Sequence, residues 1–316
     1  MTNPLTESAK GVFIIAATPF TDAGAIDWPS VDTMVEFYLG HGVDGMTILG
    51  MMGEAQKLLE SESLEFTRTV LRRVAGRVPV VVGVSSPGTA GLVKLSTVAM
   101  EAGAAGVMIA PIPGIKTETQ LRAYFDDVIA ALGPSVPVVY QDYPQSTGVN
   151  ISADCFVSMV DAHQSLVMFK HEDWPGLRKL ARIRKACNGT LHRRVSILAG
   201  NGGLYLPQEL RRGADGAMTG FAFPEMLVGV CRLHAAGKSA EAEDLFDTYL
   251  PLVCYEQQPG IGLAIRKEIL RRRGAFRSAA LRAPGPKLDA DDMREIDALL
   301  ARLAERLDRV GRQAAA

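Results

Sequence analysis

The chain has 316 residues and a mass of 33.9 kDa, 47% hydrophobic and 22% charged, which excludes a disordered chain and allows one large domain or a domain with an appendage. A net charge of -1 and a pI near 6.5 give no basic face, so nucleic acid and anionic membranes are excluded as main partners. No apolar stretch reaches the roughly 18 residues of a membrane span, and four scattered cysteines without a C-x-x-C pair (Cys155, Cys187, Cys231, Cys254) exclude a disulfide framework or zinc knuckle.

Residues 1–10 are polar, carry Glu7 and Lys10, and lack an apolar h-region. They are expected as a tail rather than a secretory signal, which, with reduced thiols, points to the cytoplasm. Short apolar, β-branched runs follow at 12–17, 45–49, 78–84, 106–110, 136–140, 166–169, 195–199 and 216–219. They start at intervals of roughly 20 to 35 residues, the span of one strand plus one helix. Apolar residues at helical spacing predict helices over 28–39, 61–74, 89–102, 117–132 and 153–162. Three local repeats precede strands: His41-Gly42-Val43-Asp44-Gly45, Ala102-Gly103-Ala104-Ala105-Gly106 and Arg212-Gly213-Ala214-Asp215-Gly216. In each, the first glycine suits a left-handed helix cap and the second opens the strand.

Eight such units predict an α/β fold, a (β/α)8 TIM barrel. An open doubly wound sheet would carry a Gly-rich loop after its first strand, whereas this chain reads Thr18-Pro19-Phe20-Thr21-Asp22 there. Beyond 219 the pattern is helical only, over 224–236, 239–253, 260–273 and 290–310. The first of these helices closes a barrel of residues 11–235, and residues 236–316 form a C-terminal helical extension. Its charged run 266–273 is expected to be a solvated face, and 313–316 to fray.

Chemistry in such a barrel gathers at the C-terminal strand ends. The sixth strand runs Leu166-Val167-Met168-Phe169 straight into Lys170. A lysine desolvated at an apolar barrel mouth has its pKa lowered and becomes a nucleophile able to form a Schiff base with a ketone; the other reading is a lysine that ends its strand in solvent. Tyr140 ends the fifth strand, either as a phenol relaying protons to that amine or as a packed aromatic. Gly50-Met51-Met52-Gly53-Glu54 ends the second strand, where backbone amides can hold a carboxylate or simply form a βα turn. His171-Glu172-Asp173 raises a metal site, but strand alternation sends His171 to the opposite face from Lys170 and Glu172. No metal and no cofactor is expected.

Gly50-Met51-Met52-Gly53-Glu54, the strand-ending Tyr140, Lys170 one strand later, Ala17-Thr18-Pro19-Phe20 and Pro259-Gly260-Ile261 before a helix resemble the dihydrodipicolinate synthase / N-acetylneuraminate lyase family. The resemblance implies a cofactor-free class I lyase that binds pyruvate or another 2-oxo acid as a lysine Schiff base and catalyses aldol cleavage or condensation, or the dehydration of a 2-keto-3-deoxy sugar acid, in a homotetramer or dimer. It matches Lys170 to the Schiff-base lysine, Tyr140 to the relay tyrosine, Met51, Met52 and Gly53 to the carboxylate-holding turn, and Met218 to the pyruvate pocket.

Departures are specific. Two threonines of the synthase are replaced by Met51 and Met52, the loop Pro111-Ile112-Pro113-Gly114 offers no phenol, and no arginine lies near Ser146. Gln141-Asp142 with Pro144, Lys170-x-Glu172, Ala217-Met218-Thr219-Gly220 and Leu250-Pro251-Leu252 with Glu256 resemble instead the branch that dehydrates 2-keto-3-deoxy sugar acids. There Glu172 is either an acid/base or an ion-pair partner, and Gln141, Ser146, Thr147 and Asn201 are candidates for the sugar tail. The alternatives are dihydrodipicolinate synthase (4-hydroxy-tetrahydrodipicolinate synthase) activity, a metal-dependent barrel enzyme using His171, Glu172 and Asp173, and a 2-oxo-acid-binding barrel without turnover.

Overall fold

A computed structural model describes residues 4–174 and 176–314. In chain order the elements are β1 (Gly11–Ile15), α1 (Trp28–Gly40), β2 (Gly45–Ile48), α2 (Glu60–Val74), β3 (Val80–Gly83), α3 (Thr89–Glu101), β4 (Gly106–Ile109), α4 (Glu118–Leu132), β5 (Val138–Asp142), α5 (Pro144–Thr147), α6 (Ala153–Ala162) and β6 (Leu166–His171). They continue with α7 (Leu177–Ala186), β7 (Ser196–Ala199), α8 (Leu206–Arg211), β8 (Gly216–Ala217), α9 (Pro224–Ala235), α10 (Ser239–Glu256), α11 (Gly262–Arg272) and α12 (Ala290–Ala314). The eight strands pair in parallel and in sequence order, and β8 returns to β1, so the sheet is a closed (β/α)8 TIM barrel as expected.

Strand pleat divides the core into two layers. Phe13, Ile15, Val81, Met108, Val139, Met168, Leu198 and Met218 point inward and fill the barrel. Val12, Ile14, Met46, Val82, Val107, Tyr140, Phe169 and Ile197 point outward and pack under the helices. Both layers are apolar, so each strand is buried on both faces.

The three repeats behave as expected: Gly42, Gly103 and Gly213 have φ of 73°, 95° and 96°, and Gly45, Gly106 and Gly216 open β2, β4 and β8. A Cβ at Gly45 would lie 2.4 Å from the Phe13 ring, which is why that strand must begin with glycine. The last run is shorter than expected, because Met218 and Thr219 leave regular geometry; their neighbours still hold them through Met218 N–H to Ala199 O (2.8 Å) and Ile15 N–H to Thr219 O (2.9 Å). Of the expected tail, residues 4–10 cross the barrel floor, where Leu5 is buried and its N–H reaches Ala105 O at 2.8 Å. Residues 315 and 316 of the expected frayed end lie outside the described residues.

Four helices follow the last strand without another strand, and α12 packs on α10 and α11. The charged run 266–273 is not a solvated face throughout: Arg266, Lys267 and Glu268 are buried, each with an opposite charge beside it, and only its end, from Arg271, reaches solvent. None of the described helices is long and apolar enough to cross a membrane.

Candidate active site

Lys170 is the penultimate residue of β6 and is 3% exposed. Its register partner on β5 is Gln141, while Phe169 pairs with Tyr140. Partners on neighbouring parallel strands face the same way, so Gln141 shares the inward face of Lys170 and Tyr140 shares the outward face of Phe169. The side chains agree. Lys170 Nζ lies 2.9 Å from Glu172 Oε2, and Gln141 Nε2 donates to that same oxygen at 2.7 Å. A buried amine, a carboxylate and a carboxamide therefore meet at the C-terminal mouth.

Tyr140 faces away from this group. Its ring stacks on Phe169 (centroids 5.8 Å, planes 4° apart) and packs against Phe125 of α4 and Phe156 of α6. Its hydroxyl has no hydrogen-bond partner, and burial pushes the phenol well above its usual range. Such a group is poorly suited to pass protons, and it is on the wrong side of the sheet to reach Lys170. Gln141, one residue on, occupies the place expected for the tyrosine.

Glu172 is held rigidly. Its N–H donates to Asp142 O (2.9 Å), and its carbonyl accepts from Asn201 Nδ2 (3.0 Å). Gly200 makes room for it: a Cβ there would lie 2.1 Å from Glu172 Cγ. Asn201 thus supports Glu172 through its backbone, and one of its amide N–H groups is spent there. Thr147 likewise spends its hydroxyl on Tyr143 O at 3.1 Å.

After β2 the chain makes a single 3-10 turn, Met51–Gly53. The first internal bond of the turn is Gly53 N–H to Gly50 O (3.0 Å), so the amides of Met51 and Met52 open it without a partner inside it. Met52 packs on the inner barrel layer. Met51 faces a cavity of about 700 Å³, and its sulfur accepts from Ser146 Oγ at 3.0 Å. Leu58, Ser85, Leu95, Gln141 and Ser146 also line the cavity. Lys170 does not line it directly; it lies one side chain further in, behind Gln141 and Glu172. Met218, expected at the pocket wall, is fully buried among the inner side chains and serves as floor.

Behind the mouth lies a second polar group that sequence reasoning missed. Asp142 and His171 point outward from β5 and β6. Lys179 of α7 bridges Asp142 (2.7 Å) and Asp173 (3.2 Å), while His171 Nε2 lies 3.9 Å from Glu209 of α8. Burial pushes the Asp142 carboxyl up to about 7 and, helped by the Glu172 charge, the Glu209 carboxyl up to about 8. Burial, with Lys179 adding to it, pushes His171 down to about 4. His171, Glu172 and Asp173 thus enter three different surroundings. Among the described residues no group of three or more His, Cys, Asp or Glu side chains is arranged to hold a metal ion.

A closed parallel barrel with a buried lysine–carboxylate pair at its C-terminal mouth is the framework of a barrel enzyme. Residues 8–303 match the model of the Dihydrodipicolinate synthetase family, and the chain belongs to that family as one of its lyases. L-2-keto-3-deoxyarabonate dehydratase of Azospirillum brasilense is 30% identical over 307 residues, 96% of this chain and 97% of that one. A 4-hydroxy-tetrahydrodipicolinate synthase of Sorangium cellulosum is 32% identical over 237 residues, 74% of this chain and 76% of its own. Among solved structures, dihydrodipicolinate synthase from Rhodopseudomonas palustris superposes with a TM-score of 0.93 at 46% identity, covering 95% of this chain and all of that one.

Proposed function

We propose that this lyase acts on a 2-oxo acid through a Schiff base at Lys170 and dehydrates a 2-keto-3-deoxy sugar acid. The observation that carries the reading is the Lys170–Glu172–Gln141 contact at the barrel mouth. Glu172 accepts a proton from the Lys170 ammonium, and the freed amine attacks the C2 carbonyl. The carbinolamine hydroxyl takes that proton back from Glu172 and leaves as water, which gives the iminium and restores the carboxylate. That cation acidifies C3–H, Glu172 takes the C3 proton, and the electron pair is held as an enamine. The enamine then expels the C4 hydroxyl, which leaves as water with the proton that Glu172 returns. Hydrolysis of the imine releases the dehydrated acid and restores the lysine.

Gln141 fixes the Glu172 carboxylate without itself exchanging protons, so one carboxylate serves every transfer. The amides of Met51 and Met52, with Gly53, hold the substrate carboxylate. Ser146 and Gln141 face the cavity and are placed for the tail hydroxyls. The dehydratase relative supports the choice of C–O over C–C cleavage. The synthase activity named for other relatives is the second reading. It is less supported, since among the described residues no cationic side chain lines the cavity to receive a second carboxylate. The active form is a homotetramer or dimer, and four free thiols suit a reducing cytoplasm.

Intact-protein mass after borohydride reduction with pyruvate tests the imine. Wild type is expected to gain one covalent adduct and Lys170→Ala none. An adduct that persists in Lys170→Ala, or failure of wild type with pyruvate and with every larger 2-oxo acid, would sink the proposal. Turnover of 3-deoxy-2-oxo sugar acids then tests the dehydration, and sedimentation velocity tests the oligomer.

A further inference from the structure

Glu54 follows the Met51–Gly53 turn and stands between it and a second one, Ala55–Lys57. Its backbone is left-handed, with φ 53° and ψ 33°, a conformation that a non-glycine residue adopts only at a steric cost. The side chain compensates. Although only 1% exposed, it accepts from Lys267 Nζ at 2.7 Å, from Lys57 Nζ at 2.8 Å and from the Arg282 N–H at 3.1 Å. Lys267, on α11, is itself fully buried; it donates also to Ala280 O (2.9 Å) and lies 4.5 Å from the centre of the Phe20 ring. Burial pushes its amine down to about 8 against the opposing pull of Glu54. On the other side of the turn, Thr18 Oγ1 donates to Gly53 O at 2.6 Å. The turn is clamped from both sides, and the outer clamp reaches across 213 positions of sequence. Glu54 does not line the cavity, whereas Gly50, Met51, Ala55 and Gln56 on either side of it do.

We propose that Glu54 is a positioning residue: its buried carboxylate, gripped by Lys267 and by the segment around Arg282, fixes the backbone amides that receive the substrate carboxylate and makes the C-terminal extension part of the substrate site. The inference rests on the reading of the Met51–Met52 amides as the carboxylate holder. An electrostatic clamp is suited to this task because a turn of three residues has little packing of its own. A displacement of about 1 Å in a positioning element is enough to lower efficiency by about 100-fold.

The test is the pyruvate dependence of borohydride trapping, with adduct measured by intact mass. In Glu54→Gln and in Lys267→Met the half-saturating pyruvate concentration is expected to rise about 10-fold or more, while the adduct plateau at saturation stays within about 3-fold of wild type. The double variant should be no worse than the poorer single one, because the two side chains act through one contact. A merely structural role would lower the plateau, by leaving part of the protein unfolded, without moving the half-saturation. A folded Glu54→Gln protein with unchanged half-saturation overturns the inference, as does plateau loss alone. Should Glu54→Gln fail to fold, Lys57→Met removes only the partly exposed arm; a shift of about 3-fold supports the clamp and no shift overturns it. A wild type that forms no adduct with any 2-oxo acid removes the Schiff-base reading, and this inference with it.

Discussion

At the residue scale, two neighbours on β5 carry opposite expectations. The Tyr140 hydroxyl is buried without a partner and faces away from Lys170. Removing an unsatisfied buried hydroxyl recovers its desolvation cost, so Tyr140→Phe should leave kcat within about 2-fold and raise stability by up to about 1 kcal/mol. Gln141→Leu removes the 2.7 Å bond that orients Glu172 and should lower kcat by about 10- to 100-fold with a smaller change in KM. Steady-state kinetics and urea unfolding of the two variants decide between the neighbours; a kcat collapse in Tyr140→Phe would restore the tyrosine to the mechanism. Lys170-x-Glu172 was legible in the sequence because alternation alone puts both residues on one face. The orientation of Tyr140 was not. Both faces of a parallel barrel strand are apolar, so the end of an apolar run does not reveal which residue points inward. The better signal was the register of Gln141 against Lys170, which no single strand contains.

At the element scale, α7 and α8 set the ionisation of the β6 end. Glu209 keeps its proton in the folded protein up to about pH 8, whereas an ordinary glutamate loses it near 4.5. The folded state therefore binds more protons than the unfolded one between those values, and this group's contribution to stability falls as pH rises. His171 works in the opposite sense, between about 4 and 6.5, and Asp142 in the same sense as Glu209 up to about 7. From pH 7 to 8 only Glu209 of the three still differs between the states. Stability is expected to decline by about 1 kcal/mol over that unit, and Glu209→Gln, neutral and of similar shape, should abolish the decline. Urea midpoints at pH 6, 7 and 8 measure it; an equal decline in the variant would assign the effect elsewhere. Element boundaries were partly legible. The three glycine repeats mark helix-to-strand turns because the first glycine of each has φ between 73° and 96°, and a Cβ on the second would collide with Phe13 at Gly45, with Pro137 O at Gly106 and with Gly11 O at Gly216. The short helices α5 and α8 span four and six residues, too few to show a helical period.

At the scale of the whole molecule, the barrel and its extension are joined by charge as well as by apolar packing. The spacing of eight apolar runs was enough to predict the barrel, since each βα unit is a local pattern. The start of the charged run on α11 was misread because a charge run is solvated only when nothing covers it, and part of what covers this one, above all Glu54 beside Lys267, is 213 positions away in sequence. Arg266 donates to Glu256 at 2.8 Å, with both side chains buried, and Glu256 also accepts from Ala222 N–H after β8 at 3.2 Å. Gln257, with its amide oriented by its neighbours, donates to Asn201 O (3.2 Å) and accepts from Arg266 (3.1 Å). The chain of contacts thus runs from α11 through Arg266 and Gln257 to Asn201, and from Asn201 to the Glu172 carbonyl. Arg266→Met leaves Glu256 buried without its cation and should cost about 3–5 kcal/mol in urea unfolding. Adding Glu256→Gln removes the stranded charge and should recover most of that loss. It does not rebuild the Arg266–Gln257 contact, so kcat should remain depressed in the double variant while its stability returns. If kcat and stability recover together, the extension acts on catalysis only by keeping the barrel folded; if they part, the extension also sets the position of Glu172 at the barrel mouth.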